Sequence, residues 1–158
     1  MASVRQVIRS GLWGILGPVV LSIILAAIFG PFRYDNTNLD ALVITAFTNV
    51  FNVWPLYLIQ ALLGLAYGEI RGLRGASSWP RGMLVGGIVW AIAGVPFLLG
   101  GAVLALMASA MPHGGPSFFE SFLAIFGWYA GHVLCGVVAG IQVETYLLRC
   151  DQSAPPAV

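Results

Sequence analysis

The sequence predicts an all-α fold, a bundle of four transmembrane helices, and three observations lead to this prediction. Of the 158 residues, 59% are hydrophobic and 8% are charged, whereas soluble domains carry about 25% charged residues. The mean hydropathy of +0.90 indicates a chain that is solvated by lipid. Four apolar runs are long enough to cross a hydrocarbon layer of about 30 Å, which takes about 20 helical residues. These runs cover residues 12–29, 41–67, 83–110 and 118–148.

The first apolar run follows a basic start that contains Arg5 and Arg9, an arrangement also found in signal peptides. Its apolar part is longer than the roughly 7–15 residues of a signal peptide, and no A-x-A cleavage site follows it. We therefore interpret the first run as a retained helix. Pro18 predicts a bend in it.

The second run is longer than a bilayer requires, even for a tilted helix. It carries Asn49, Asn52 and Pro55 toward its first end. Proline removes a backbone donor and sterically disrupts the preceding turn. The sequence thus predicts a kink near Pro55 or an interfacial segment before it. Thr37 and Asp40 are typical of a helix start.

The third and fourth runs carry signals of their own. Pro96 predicts a bend in the third run, and Trp90 is expected to pack inside the bundle. The fourth run begins with P-S-F-F-E, in which Ser117 can cap the helix and Glu120 can bond back to it as a capping box. Glu120 is therefore interpreted as structural. One transmembrane domain is expected over residues 1–150, followed by a short disordered cytoplasmic tail over 151–158.

The distribution of arginine predicts the orientation in the membrane. All seven basic residues are arginine, and six of them flank the first run's start, the connection between the second and third runs, or the last run's end. Only Arg33 falls on the opposite side. The positive-inside rule places both termini and the middle connection in the cytoplasm, so we expect a multi-pass protein of the inner (plasma) membrane. A net charge of +1 gives no footprint for nucleic acid.

A parallel internal repeat appears when the second half is shifted over the first by 72 residues. The shift aligns Gln60 with His132 and gives each half a polar side chain followed by a face of spaced glycines. Such G-x-x-x-G faces allow helix backbones to approach closely in lipid. The repeat favours two parallel helical hairpins. The predicted helix-packing residues are Gly64, Gly68, Gly82, Gly86, Gly136 and Gly140.

The second half resembles a known family through R-G-M-L-V-G-G-I-V-W-A-I-A-G-V-P-F-L-L-G-G and G-H-V-L-C-G-V-V-A-G. It is similar to an uncharacterised family of small four-helix integral membrane proteins of bacteria and archaea, and through them to YagU-like inner-membrane proteins. The resemblance implies the fold and brings no activity. Members often carry a histidine in the second helix, where this chain has Gln60. The shared positions are Arg81, Gly82, Gly86, Trp90, Pro96, Gly100, Gly131, His132, Gly136 and Gly140.

His132 is the residue with the richest chemistry at membrane depth. Haem ligation by two imidazoles would require His113, which lies in an outer loop at a different depth. His132 and Cys135 supply two ligands, while a closed zinc site takes four. No serine lies in a nucleophile elbow, and no acid is placed to orient the imidazole. We expect His132 to remain neutral and to bond across the bundle to Gln60, a tyrosine hydroxyl or a backbone carbonyl.

These observations predict a non-enzymatic integral membrane protein without cofactor or metal. It would act through helix contacts in the lipid bilayer, as an accessory or scaffold subunit of a larger membrane complex or as a homo-oligomer. The alternative is a small transporter or proton-coupled channel that uses His132, since ionisable groups inside a membrane often mark a pathway. A haem-binding membrane subunit is a third and weaker alternative.

Overall fold

The computed structural model describes residues 3–29, 39–76, 78–110 and 117–152, and within these ranges it is all-helical and has no strand. Three helices are long and apolar enough to cross a membrane, namely α1, α4 and α5, and the bent pair α2 and α3 would make a fourth span. The predicted all-α class is thus confirmed. The helices are α1 Val4–Phe29, α2 Leu39–Asn52, α3 Trp54–Arg74, α4 Trp79–Ser109 and α5 Phe118–Gln152.

The second apolar run forms two helices separated by a sharp bend. α2 and α3 meet at Val53 with a bend of 54° between them. Pro55 stands in the first turn of α3, where its missing N–H costs nothing. Continuing α2 through Pro55 would lose a hydrogen bond to Phe51 and crowd its carbonyl. The predicted kink near Pro55 is therefore present as a break.

The start of α5 has the predicted capping box. The Glu120 N–H donates to Ser117 Oγ at 3.2 Å, and the Ser117 N–H donates to Glu120 Oε2 at 2.9 Å. α5 then continues to Gln152, two residues into the predicted disordered tail, because the prolines that stop a helix come only at 155 and 156. Expectations about Arg33, Thr37 and His113 lie outside the described residues.

The helices pack as two antiparallel hairpins, α1 with α3 and α4 with α5. In both hairpins the closest approach lies at small residues, where one backbone faces the other. The two sets of contacts are related by the 72-residue shift seen in the sequence. In the first hairpin Gly14 faces Gly64 and Ser10 faces Gly68, and in the second Gly86 faces Gly136 and Gly82 faces Gly140.

The two hairpins contact each other through two pairs of helices, and one pair packs more closely than the other. α1 packs closely along α5, where Gly131 lies against Leu25 and Gly17 against Gln142. Under the shift the corresponding pair is α3 and α4, and their backbones remain largely apart. They meet through side chains, since the Tyr67 hydroxyl donates to the Gly82 carbonyl at 3.1 Å and the Tyr67 and Trp90 rings pack edge to face. The space between α3 and α4 is consequently filled by side chains, among which Tyr67, Gln60 and Trp90 are buried.

The direction of the helices places six of the arginines at one end of the bundle. α1 and α4 run one way, while α3 and α5 run the other. The start of α1, the turn from α3 to α4 and the end of α5 therefore lie together. We call this the arginine end, and its residues are Arg5, Arg9, Arg71, Arg74, Arg81 and Arg149.

The orientation in the membrane can be tested with single cysteines. The positive-inside rule predicts that the arginine end faces the cytoplasm. Ser78→Cys, in the turn from α3 to α4, should resist an impermeant maleimide in intact cells, and Ala110→Cys, at the opposite end of α4, should react. Cys150→Ser is included in both variants to remove the native thiol nearest the arginine end.

Permeabilised cells provide the control, because both introduced cysteines should then react. Labelling of Ser78→Cys with protection of Ala110→Cys in intact cells would reverse the predicted topology.

Candidate functional site

Three side chains from three helices form a hydrogen-bonded chain in the middle of the bundle, which we call the polar relay. It consists of Trp90 on α4, Gln60 on α3 and His132 on α5. Trp90 Nε1 donates to Gln60 Oε1 at 2.5 Å, and Gln60 Nε2 lies 2.7 Å from His132 Nδ1. Trp90 and Gln60 are buried. The sequence analysis allowed several hydrogen-bond partners for His132, and the structure shows a hydrogen bond with Gln60.

The chemistry of the indole sets the direction of the polar relay. An indole N–H can only donate, so the Gln60 amide must turn its oxygen toward Trp90 and its NH₂ toward His132. The amide then donates to Nδ1, which must hold a free lone pair. The neutral ring therefore carries its proton on Nε2. The reverse tautomer would turn the amide and set two donors against each other at Trp90.

His132 Nε2 is buried and makes no hydrogen bond within the part of the chain that the structure describes. The backbone of Trp90 lies beside the imidazole and is placed to interact with its N–H. An unpaired buried N–H costs about 1–3 kcal/mol. The polar relay thus ends at the backbone of α4, beside Trp90.

The imidazole lines a cavity of about 330 Å³, which lies in the usual range of about 300–1,000 Å³ for small-molecule sites. Residues from all five helices line the cavity. Its walls are mostly apolar. Leu56, Phe97, Leu98, Ile125 and Trp128 are among them.

Three other polar side chains at the cavity donate to backbone carbonyls. Asn49 Nδ2 donates to Ala26 at 2.7 Å. The hydroxyl of Tyr57 donates to Val50 at 2.9 Å, and that of Tyr129 donates to Ala91 at 2.9 Å. These hydrogen bonds join α2 to α1, α3 to α2 and α5 to α4, respectively. His132 lines the cavity with part of its ring, while its Nε2 atom is buried.

The predicted packing glycines lie at the backbone approaches of both hairpins. A Cβ at Gly64 would overlap the Gly14 carbonyl, and one at Gly68 would overlap the Ser10 carbonyl. Gly86 and Gly136 stand in the same relation to each other. Gly140 faces the Gly82 carbonyl, and a Cβ on Gly82 would in turn overlap the Glu144 side chain.

A buried ion pair closes the bundle near the arginine end, and the sequence did not predict its burial. Glu144 lies near the end of α5, and its side chain is 0% exposed. Arg71 Nε donates to Glu144 Oε1 at 2.7 Å, and Nη2 bonds to the same oxygen. The sequence does contain a signal for this burial. Gly136, Gly140 and Glu144 are spaced by four residues and so share the packed face of α5.

Metal and haem ligands do not gather in the described part of the chain, where no group of three or more His, Cys, Asp or Glu side chains could hold a metal ion. Cys135 is buried beside the polar relay, and Cys150 lies near the end of α5. His113 is outside the described residues. The expectation of a protein without cofactor stays a prediction.

Comparison with known proteins gives no relative. No family model, curated protein or solved structure matches the chain. The resemblance suggested by the motifs of α4 and α5 therefore stays a prediction, and the proposals below depend on the geometry alone.

Proposed function

We propose that the chain is a non-enzymatic, four-span protein of the inner membrane that acts through helix contacts, and that its first partner is a second copy of itself. The observation that carries this proposal is an apolar groove on the outer surface between α4 and α5. It is open to the surroundings, and Gly87 and Ala91 are among its lining residues. The others are Pro80, Met83, Leu84, Ile88, Val133 and Val137.

The small residues of the groove have the same spacing as the small residues at the helix contacts inside the bundle. Gly87 and Ala91 are one helical turn apart, as are the glycines at which α4 and α5 meet. In lipid, small residues at this spacing allow backbones to approach, and the resulting close packing drives association. Two copies of α4 crossing at Gly87 would present the same surface to each other, which satisfies the symmetry of a two-fold dimer.

The side chains beside this groove favour the same arrangement. Leu84 and Ile88 are 65% and 50% exposed and flank Gly87 on α4. Across a two-fold axis, each can pack over the small residues of the other copy. Such a contact adds van der Waals packing without moving any buried polar group.

A proton-coupled channel receives less support from the polar relay. Gln60 donates to His132 Nδ1, and its amide orientation is held by Trp90. A proton passing through the ring would require the Gln60 amide to turn and to give up its bond to the indole. The ion pair of Arg71 and Glu144 lies at a different level, three turns of α5 away, and does not extend the relay.

Gly87→Leu should convert the dimer to a monomer. A Cβ at Gly87 would meet only the Val137 side chain, at 3.2 Å, so the added leucine fills the groove while the chain's own backbone contacts remain. We expect at least a tenfold loss of dimer, measured by energy transfer between labelled copies diluted in vesicles.

Gly100→Leu is the matched control. Gly100 lies on the same helix, and a Cβ there would contact nothing within 4 Å, so this variant should dimerise normally. Wild-type protein that remains monomeric at all dilutions, or equal association of both variants, would exclude this groove as the interface.

A further inference from the structure

We propose that the bundle binds the phosphate group of an anionic phospholipid at its arginine end, on the surface where α1 meets α5. We call this surface the basic seam, and it consists of Arg5, Arg9, Trp13, Tyr146 and Arg149. The proposal rests on the membrane location proposed above. It is independent of self-association, because the residues that line the α4–α5 groove include none from α1 or from the end of α5.

Five of the six arginines at this end have no carboxylate partner among the described residues. Arg71 is the exception, because it pairs with the buried Glu144. A guanidinium group binds phosphate well, since its planar array of N–H donors matches two phosphate oxygens. The arginine end therefore offers unpaired groups of the right chemistry. The five exposed arginines are Arg5, Arg9, Arg74, Arg81 and Arg149.

The antiparallel packing of α1 and α5 determines which residues meet at the basic seam. Gly17 lies against Gln142, and one turn nearer the arginine end the rings of Trp13 and Tyr146 stack with their centroids 6.3 Å apart. One further turn along α1 brings the Arg9 guanidinium beside the Tyr146 hydroxyl. A cation and a hydroxyl from two helices thus lie side by side.

Two further arginines lie on the same sides of their helices. Arg149 follows Tyr146 by three residues on α5, and Arg5 precedes Arg9 by four residues on α1, so each pair shares one side of its helix. Like charges at this spacing repel each other. An anion with several acceptor oxygens would remove that repulsion by bonding to more than one guanidinium at once.

The acidic side chains near this end do not neutralise the basic seam. Glu144 is buried in its ion pair with Arg71. Glu69 packs against Gly11, which lies on a different side of α1 from Arg9. Asp151 comes five residues after Tyr146 and so lies on a different side of α5. The seam therefore keeps its positive charge.

The position of the basic seam along the helices favours a lipid as the source of the phosphate. α1 and α5 are both long and apolar enough to cross a membrane. Tryptophan and tyrosine concentrate at the depth of lipid headgroups, and Trp13 is 42% exposed one turn below Arg9. Basic residues at this depth attract anionic lipids. The phosphate would bond to the arginines while the glycerol and the first methylenes lie along the stacked rings.

Titration of the full chain in detergent with two lipids of identical chains tests the charge requirement. Native mass spectrometry counts bound dioleoylphosphatidylglycerol and bound dioleoylphosphatidylcholine at about 0.15 M salt, where distant charges are screened. The anionic lipid should bind about tenfold more tightly, and inorganic phosphate at equal concentration should not displace it. Equal affinity for the two lipids would overturn the proposal, and displacement by inorganic phosphate would identify a free anion as the ligand instead.

Two double variants with the same change of charge test the place of binding. Arg9→Gln with Arg149→Gln should weaken binding of the anionic lipid about tenfold or more, because each arginine close to an anionic headgroup contributes roughly fivefold. Arg74→Gln with Arg81→Gln is the control beside the turn from α3 to α4 and should stay within about twofold of the wild type. All four arginines are exposed, so circular dichroism should show folded protein in both variants. Equal losses would overturn the basic seam as the site.

Fluorescence of Trp13 gives an independent measurement of where the lipid lies. Phosphatidylglycerol with brominated acyl chains is added to the wild type and to Trp13→Phe, and the difference isolates Trp13 from the other tryptophans. The lipid should quench Trp13 in the wild type and in the α3–α4 control, but not after loss of Arg9 and Arg149. Bound lipid that leaves Trp13 unquenched would overturn the site. A chain that stays monomeric yet quenches as expected would exclude the dimer alone, since the basic seam belongs to one copy.

Discussion

Gly140→Leu should prevent formation of the folded bundle, while Gly127→Leu on the same helix should leave it intact. A Cβ at Gly140 would overlap the Gly82 carbonyl oxygen and lie 2.9 Å from Met83 N. These are backbone atoms, so no side-chain rotation can relieve the overlap. Overpacking of a core costs about 1–3 kcal/mol where side chains can move, and we expect a larger loss here because the two helices must separate.

The control is as close as the chain allows. Gly127 is also in α5, and a Cβ there would meet nothing within 4 Å. Both variants carry the same change in helix propensity, roughly 1 kcal/mol in favour of the helix. Unfolding in mixed detergent, followed by circular dichroism, and the yield of monodisperse protein give the comparison. Similar yield and midpoint for the two variants would show that the α4–α5 crossing does not depend on the glycine.

Arg71→Ala should destabilise the bundle by about 3–5 kcal/mol, the usual cost of removing one partner of a buried ion pair. Glu144 is 0% exposed and bonds to the guanidinium through two nitrogens. Without Arg71, the carboxylate either keeps its charge in a medium of low dielectric constant or takes up a proton. Both alternatives raise the free energy of the folded state.

Arg74→Ala is the matched control, because Arg74 is exposed one turn further along α3. It should cost less than about 1 kcal/mol, as surface charges usually do. The double variant Arg71→Leu with Glu144→Leu should recover much of the loss, since apolar replacements remove both charges together. The losses of stability in the single variants Arg71→Leu and Glu144→Leu provide the comparison. A double variant whose loss equals the sum of these two losses would show that the ion pair is not the source of the effect.

Composition and local chemistry were enough to predict the class of the protein and several of its details. The apolar runs predict the helices, and Pro55 predicts the interruption of the second run because a ring without an N–H acts within its own turn. Ser117 and Glu120 predict their own capping box for the same reason, since partners three residues apart meet in any helix.

The sequence also places spaced glycines on one face of a helix. Four-residue spacing places Gly136 and Gly140 on one face whatever the neighbouring helix is. The spacing does not say which helix fills that face. The structure shows α4 against these glycines and α1 against Gly64 and Gly68.

By itself, then, the sequence determined the all-helical class, the kink near Pro55, the cap at Ser117 and the faces that carry glycine, because each depends on residues within a few positions of one another. Only the tertiary structure decided that Glu144 is buried against Arg71, that Trp90 orients Gln60 and through it His132, and that the hairpins pack closely through α1 and α5. The physical reason is that a hydrogen bond or an ion pair between helices depends on how far each helix is rotated and shifted against the next. The spacing of residues along one helix determines neither its rotation nor its shift against the neighbouring helix.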